Sequence, residues 1–305
     1  MPDRTSHPLS NVMWKVNAAL APAGLAAIYI FGISSLGLIL VSILTAMVTE
    51  ALIQKVRNQK IVLSDGSAFM TGLLLAYTLP ATSPWGMASL GSFFAIAIAK
   101  QAFGGFGKNI FNPALAGRAF LMTAWPSHMV FFPKPFACDA ITQATPLSLL
   151  KEGKVASIAE MGLSYKDLFL GNRGGCLGEV CILALLLGGL YLLVKKIITW
   201  HIPLSFIALV AAFTWVFGSK DGFFKGDFLL HILSGGLMLG AFYMATDYVT
   251  SPVTKKGQLI FGIGCGFLTS VLRLWGGFPE GVCYAILAMN AAVPLINKIT
   301  RTSNP

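Results

Sequence analysis

Charge is what this 305-residue chain has least of: Asp, Glu, Lys and Arg make up 11% of it, against about 25% in an ordinary soluble domain. A soluble fold of this length could not solvate its surface with so few charges, and a disordered chain needs the opposite bias. Metal and nucleophile signatures are missing too. The five cysteines (Cys138, Cys176, Cys181, Cys265, Cys283) contain no C-x-x-C pair, and the four histidines show no H-E-x-x-H spacing. Cys176 and Cys181 open an apolar run and read as small apolar helix residues; a metal-ligand role shared with another subunit is the alternative. The net charge of +10 comes from cations dispersed between apolar stretches. They make no single basic face with interleaved aromatics, so nucleic acid is not an expected partner. The polar N-terminus, MPDRTSHPLSNVMWK, carries no cleavable signal pattern, and the first apolar stretch is expected to be a retained anchor.

What the chain does have is apolar surface. Hydrophobic residues make up 55%, with 32 Gly and 22 Phe, which is the composition of a polytopic membrane protein. A helical span needs roughly 20 apolar residues. Ten stretches qualify: about 17–33, 36–54, 66–82, 87–103, 113–131, 177–194, 199–217, 228–246, 258–275 and 281–297. Connections between them are short except for residues 132–176. With the N-terminus in the cytoplasm, 14 Lys and Arg fall on the inner side and 8 on the outer side. The positive-inside bias therefore predicts both termini inside and the long loop outside a cell (inner) membrane. Membrane lipid is the surrounding solvent.

The predicted fold is all-α, with two five-helix halves of opposite topology. At a constant offset of 168, Met70 matches Met238, Gly72 matches Gly240 and Thr78 matches Thr246. At the same offset Thr82-Ser83-Pro84 matches Thr250-Ser251-Pro252, and Gly104-Gly105-Phe106 later matches Gly276-Gly277-Phe278 at 172. An odd number of spans per half makes the repeat inverted, as in many transport proteins, with polar sites near helix breaks at the repeat interface. The domain boundaries that follow are 1–131, an outer loop over 132–176, and 177–305. Proline disfavours helix at its preceding residue, so each T-S-P is either a plain helix terminus or a wall of a cofactor or ion path.

Few residues inside these spans carry charge. Asp247, Glu179, Arg118 and Arg273 are candidates for an ion path, but by position all four lie near an interface, where snorkelling or solvation would suffice. The inner turn G-G-F-G-K-N-I-F-N-P-A, Gly104 to Ala114, lacks the spacing of a nucleotide P-loop. It reads as a tight turn with Asn109 and Asn112 as helix-start residues, or as a small-molecule cradle. The segment Gly171 to Val180 leads glycines into a helix start on the outer side. There an anionic group could sit on the helix N-terminus. In the outer loop, Asp139-Ala140-Ile141-Thr142-Gln143-Ala144-Thr145-Pro146-Leu147 places a hydroxyl just before proline. Proline holds Thr145 extended, and an exposed, extended threonine is a possible site of covalent modification.

The pattern D-x-x-T-x-A-T-P-L resembles the flavinylation motif D-x-x-[S/T]-G-A-T of the RnfD/NqrB family, membrane subunits of ion-translocating oxidoreductases. The resemblance extends over nearly the whole chain, through G-K-N-I-F-N-P-A, G-C-L-G-E and A-T-D-Y-V-T-S-P. It implies that Thr145 carries FMN through a phosphoester attached by a flavin transferase, with Asp139 and Thr142 as recognition positions. It also allows a second, non-covalent flavin, riboflavin. Gln143 departs from the pattern, standing where glycine is usual. The short N-terminus resembles the Rnf D subunit, which implies partners of the Rnf C, G, E, A and B type. The implied role is one electron relay between ferredoxin and NAD+, coupled to Na+ or H+ movement and inactive alone. The rival reading is a secondary transporter of the same inverted-repeat shape without a redox cofactor, which has no need of the Asp139–Thr145 motif.

Overall fold

The computed structural model describes residues 9–136, 142–153, 155, 158–219, 222–277 and 279–300, with Thr142 and Gln143 in backbone only. The helices are α1 (Leu9–Phe31), α2 (Ile33–Val56), α3 (Ser67–Tyr77), α4 (Trp85–Ile96) and α5 (Pro113–Ala124). After a short strand pair, β1 (Phe132–Pro133) and β2 (Thr142–Gln143), come α6 (Pro146–Lys151) and α7 (Tyr165–Leu170). The second half runs α8 (Ile182–Val194), α9 (His201–Phe217), α10 (Phe228–Leu233), α11 (Leu237–Leu239), α12 (Lys255–Leu274) and α13 (Val282–Thr300). Two π-helical turns, Ala97–Gln101 and Gly240–Met244, follow α4 and α11.

Among the described residues, α1, α2, α12 and α13 are long and apolar enough to cross a bilayer. They present apolar surface outward: Leu40, Leu44, Val48 and Leu52, four residues apart on α2, are all about half exposed. Such a stripe needs an apolar solvent. The other apolar stretches carry shorter helices. The 11 residues of α3 rise about 16 Å, half of a hydrocarbon core of roughly 30 Å.

The short helices have identifiable stops. Thr78 donates its hydroxyl back to the Leu75 carbonyl at 2.7 Å, and Pro80 has no N–H to continue α3. The chain then runs extended, and the carbonyls of Tyr77 and Leu79 accept from the N–H groups of Gly178 and Leu177 at 2.9 and 3.0 Å. Only glycine fits at 178, because a Cβ there would lie 2.3 Å from the Tyr77 Cβ. The stretch expected as one span over 228–246 is broken at residues 234–236. There Arg273 donates to the freed carbonyls of His231 and Ser234. Backbone that leaves the helix at this depth must be satisfied from within the protein, and a neighbouring strand and an arginine do so here.

One apolar core runs through both halves, with α1 packed along α8. A tyrosine braces each of these two helices from within its own half, and Tyr243 also reaches the Ala19 carbonyl across the seam at 3.3 Å. Tyr77 donates to the Leu20 carbonyl on α1 at 2.9 Å, and Tyr243 to the Leu185 carbonyl on α8 at 2.8 Å. Each hydroxyl rests on a glycine: a Cβ on Gly24 would lie 2.4 Å from the Tyr77 oxygen, and one on Gly188 would lie 2.3 Å from the Tyr243 oxygen.

Hydrogen bonds sort the connections into two ends. At the loop end, Phe136 bonds the Ile30 carbonyl, Thr82 the Phe131 carbonyl and Lys151 the Leu272 carbonyl. At the opposite end, Arg57 bonds the Gln101 carbonyl, Thr199 bonds Gln258, and Thr254 bonds Thr300. Thr82-Ser83-Pro84 leads into α4 at the loop end. Thr250-Ser251-Pro252 leads into α12 at the opposite end, about 30 Å away along that 20-residue helix.

Candidate functional site

Thr145 is the residue before a helix, not part of a free loop. Pro146 fixes it in an extended conformation, φ −71° and ψ 152°, and it caps α6. Its Oγ1 accepts from the Ser148 N–H at 3.2 Å and its hydroxyl donates to the Ser148 Oγ at 3.1 Å. The expectation of an exposed side chain is corrected: Thr145 is 4% exposed. The cause is the neighbouring Pro146-Leu147, which buries itself against the membrane domain, Leu147 lying over Gly235. Thr142 and Gln143 pair with Pro133 and Phe132 as β2. Asp139 lies outside the described residues.

Beside α6 lies a cavity of about 340 Å³, within the roughly 300–1,000 Å³ of small-molecule sites. Leu147, Leu150 and Lys151 of α6 form one wall, and Phe217, Arg273 and Trp275 from the ends of α9 and α12 form another. His231 lines it as well; its Nδ1 is buried with no hydrogen-bond partner among the described residues. Partial burial lowers the Lys151 ammonium pKa below its ordinary value. The cavity's size, its aromatic wall and its polar edge fit a flavin ring.

Below the loop, an ionic lattice joins the halves. Arg118 on α5 pairs with Glu280 just before α13, and also bonds the Thr78 carbonyl. Arg173 donates to the Glu179 carbonyl at 3.0 Å, and the Glu179 carboxylate accepts from the Cys176 N–H at 3.1 Å. Arg118, Glu179, Arg273 and Asp247 are all buried, as is Arg173, so the snorkelling or solvation expected of the first four does not occur. Cys176, Glu179 and Glu280 bring their ligand atoms within 4.8 Å of one another. Three arginines against two carboxylates already neutralise that group, which disfavours a cation there.

A second cluster lies at the opposite end, where sequence reading placed only flanking charges. Lys100 and Glu50 are 2% and 1% exposed and pair at 2.7 Å; Lys100 also bonds the Ser67 Oγ at 2.7 Å, and Gln101 bonds Glu50 at 2.8 Å. The visible signal was a lone cation inside an apolar run, I-A-I-A-K-Q. Nearby, Asn112 caps α5 through the Ala114 and Leu115 N–H groups, as expected. Asn109 is not a cap and bonds the Phe111 carbonyl. Buried Asp247 accepts from the Thr250 hydroxyl at 2.9 Å. The space between Lys100, Asn109, Asn112 and Asp247 is about 20 Å³, room for one water.

Known proteins bear on these features. A relative from Clostridium ljungdahlii, named as the D subunit of a proton-translocating ferredoxin:NAD(+) oxidoreductase complex, is 51% identical over 304 residues, covering 98% of this chain and 92% of the relative. One from Acetobacterium woodii, named as the Na(+)-translocating counterpart, is 48% identical over 300 residues, 98% of this chain and 91% of the relative. A third, from Stutzerimonas stutzeri and named as the D subunit of an ion-translocating oxidoreductase complex, is 40% identical over 321 residues, 96% of this chain and 91% of the relative. The model of the NQR2, RnfD, RnfE family matches residues 3–304, and this chain, a helical membrane protein by its apolar surface and long helices, belongs to that family.

Proposed function

We propose that the chain is the D-type membrane subunit of an ion-translocating ferredoxin:NAD+ oxidoreductase complex and relays electrons through an FMN held by Thr145. The observation that carries this reading is identity of about half with two D-type relatives along nearly the entire length; α6, the helix that Thr145 caps, forms one wall of a cavity of about 340 Å³. Thr145 would hold FMN as a phosphoester on Oγ1, and bound there FMN supplies reversible electron transfer. Asp139 and Thr142 are the motif positions a flavin transferase would read. The other complex subunits, of the C, G, E, A and B type, supply the donor and acceptor, and Na+ or H+ is the coupled ion. Riboflavin, if bound, would take the glycine-rich turns and the T-S-P breaks as its walls.

The same reading places ten helical passes in two inverted halves, with the termini in the cytoplasm and the 132–176 loop outside. Each half also rests a tyrosine on a glycine of its first helix, Tyr77 on Gly24 and Tyr243 on Gly188, which supports a repeat although these residues fall two to four positions off the register of the T-S-P match. The opposite positions of the two T-S-P elements support the inversion.

The test is intact-mass spectrometry of the full chain coexpressed with its transferase. Wild type should carry the mass of FMN less one water. Thr145→Ala should lose it, and so should Thr145→Asn, which keeps a side chain suited to capping α6. The added mass persisting in Thr145→Asn, or missing from wild type, would refute the assignment.

A further inference from the structure

The attachment reading rests on the Thr145 hydroxyl, which does not line the cavity beside α6, and leaves that cavity without a role. We propose that this cavity is the berth of the tethered flavin ring, with Trp275 and Phe217 as its aromatic wall and Lys151 as the cation that sets its potential. The inference rests on the flavin reading of Thr145 and goes beyond it, by naming what the ring touches.

Four observations carry it. The first is reach. Leu147, Leu150 and Lys151 lie three and four positions apart, so one face of α6 lines the cavity. Thr145 caps that same helix, which is six residues or about 9 Å long, a span that a ribityl phosphate chain covers. The second is the wall. Trp275 and Phe217 are 63% and 42% exposed and meet with ring centroids 6.2 Å apart. Large exposed aromatic surface at a cavity mouth suits a planar apolar ring, because offset and edge-on aromatic contacts add to area burial.

The third is the polar edge. A flavin ring carries acceptors and one N–H along its pyrimidine side. His231 Nδ1, buried and without a partner among the described residues, would gain one there. The fourth is charge. Lys151 is tied by its ammonium to the Leu272 carbonyl at 3.1 Å, which fixes a cation on the cavity rim. Reduction puts negative charge on the ring, and a fixed cation nearby stabilises the reduced form. Arg273 lines the cavity as well and keeps its charge, but its guanidinium donors are taken up by the carbonyls of His231, Ser234 and Glu280 and it lies in the field of the Glu280 and Glu179 carboxylates, which offset its effect.

The experiment uses the full chain coexpressed with its transferase and purified in detergent, as wild type, Lys151→Met and Trp275→Leu. Intact mass reports whether the flavin is attached; spectroelectrochemical titration reports its midpoint potential; iodide quenching reports whether the ring is sheltered. Both variants should keep covalent flavin. Lys151→Met should favour the oxidised flavin about tenfold, a fall of about 30 mV for a two-electron couple. Trp275→Leu should make the ring severalfold more accessible to iodide and brighter in fluorescence. Covalent flavin present in all three chains, with unchanged potential and with wild-type quenching equal to that of free FMN, overturns the berth and leaves the Thr145 assignment standing. No covalent flavin on wild type overturns both.

Discussion

The Glu50–Lys100 pair offers a quantitative test of how the membrane domain is held together. Both side chains are almost completely buried, and the ammonium and carboxylate lie 2.7 Å apart. At an effective dielectric of about 20, two unit charges at that distance attract by about 6 kcal/mol, a gross figure opposed by the desolvation of both ions. Removing one partner forfeits the attraction and leaves the other charge stranded. Lys100→Met leaves the Glu50 carboxylate with only the Gln101 amide, and Glu50→Gln leaves the ammonium with Ser67 and a neutral oxygen. Each single change should cost about 3–5 kcal/mol. The double variant Glu50→Gln, Lys100→Met removes both charges yet keeps an acceptor for Gln101. It should be more stable than either single variant, with a coupling of about 2 kcal/mol. Unfolding by added dodecyl sulfate in mixed micelles, followed by tryptophan fluorescence, measures the cycle. Flavin attachment, at the other end of the molecule, should be unchanged in whichever variants fold. Single variants within about 1 kcal/mol of wild type and additive in the double would show that water reaches the pair and that the burial argument is wrong.

Much of this architecture could be read from hydropathy, and what could not has physical causes. Each apolar stretch carries helix because periodicity and length report burial in lipid. Hydropathy does not report where a helix stops, since a residue in a buried extended segment is as apolar as one in a helix. The stretch 66–82 therefore hid the end of α3 at Tyr77, where the partners that satisfy the freed carbonyls are Leu177 and Gly178, some hundred residues away. The break at 234–236 likewise depends on Arg273. The motif around Thr145 was legible, but not its burial, which follows from the docking of Pro146-Leu147.

Buried charge was the hardest feature to place. Lys100 and Glu50 are 50 residues apart, and each stands near a stretch end where a flanking charge is ordinary. Only folding brings them together. Arg118 and Glu280, 162 residues apart, pair for the same reason: the bond joins separate elements, and a linear chain shows no pairing across them.

Two further predictions concern the loop end. Asp167 closes a capping box with Ser164 on α7, and those hydrogen bonds hold its carboxyl pKa below the ordinary aspartate value. A depressed folded value stabilises α7 above the unfolded pKa, and the effect is lost as pH falls through the folded one. Amide exchange over 165–170, corrected for intrinsic rates, should lose protection in wild type only as the pH falls below the ordinary aspartate value of 3.8 and be low and flat in Asp167→Ala; a flat wild-type profile would count against the box. The last prediction is topology. Lys55 and Lys195 are exposed at the end opposite the loop, and Glu152 is exposed at the loop end. The excess of inner cations, 14 against 8, predicts that the first end faces the cytoplasm. Glu152→Cys should therefore react in intact cells with an impermeant thiol reagent, while Lys55→Cys and Lys195→Cys should react only after the membrane is opened. Residues 55 and 195 come from different halves, so their agreement also tests the inversion: reaction of one but not the other from outside would break the ten-pass arrangement, and reaction of both with protection of 152 would turn the molecule over.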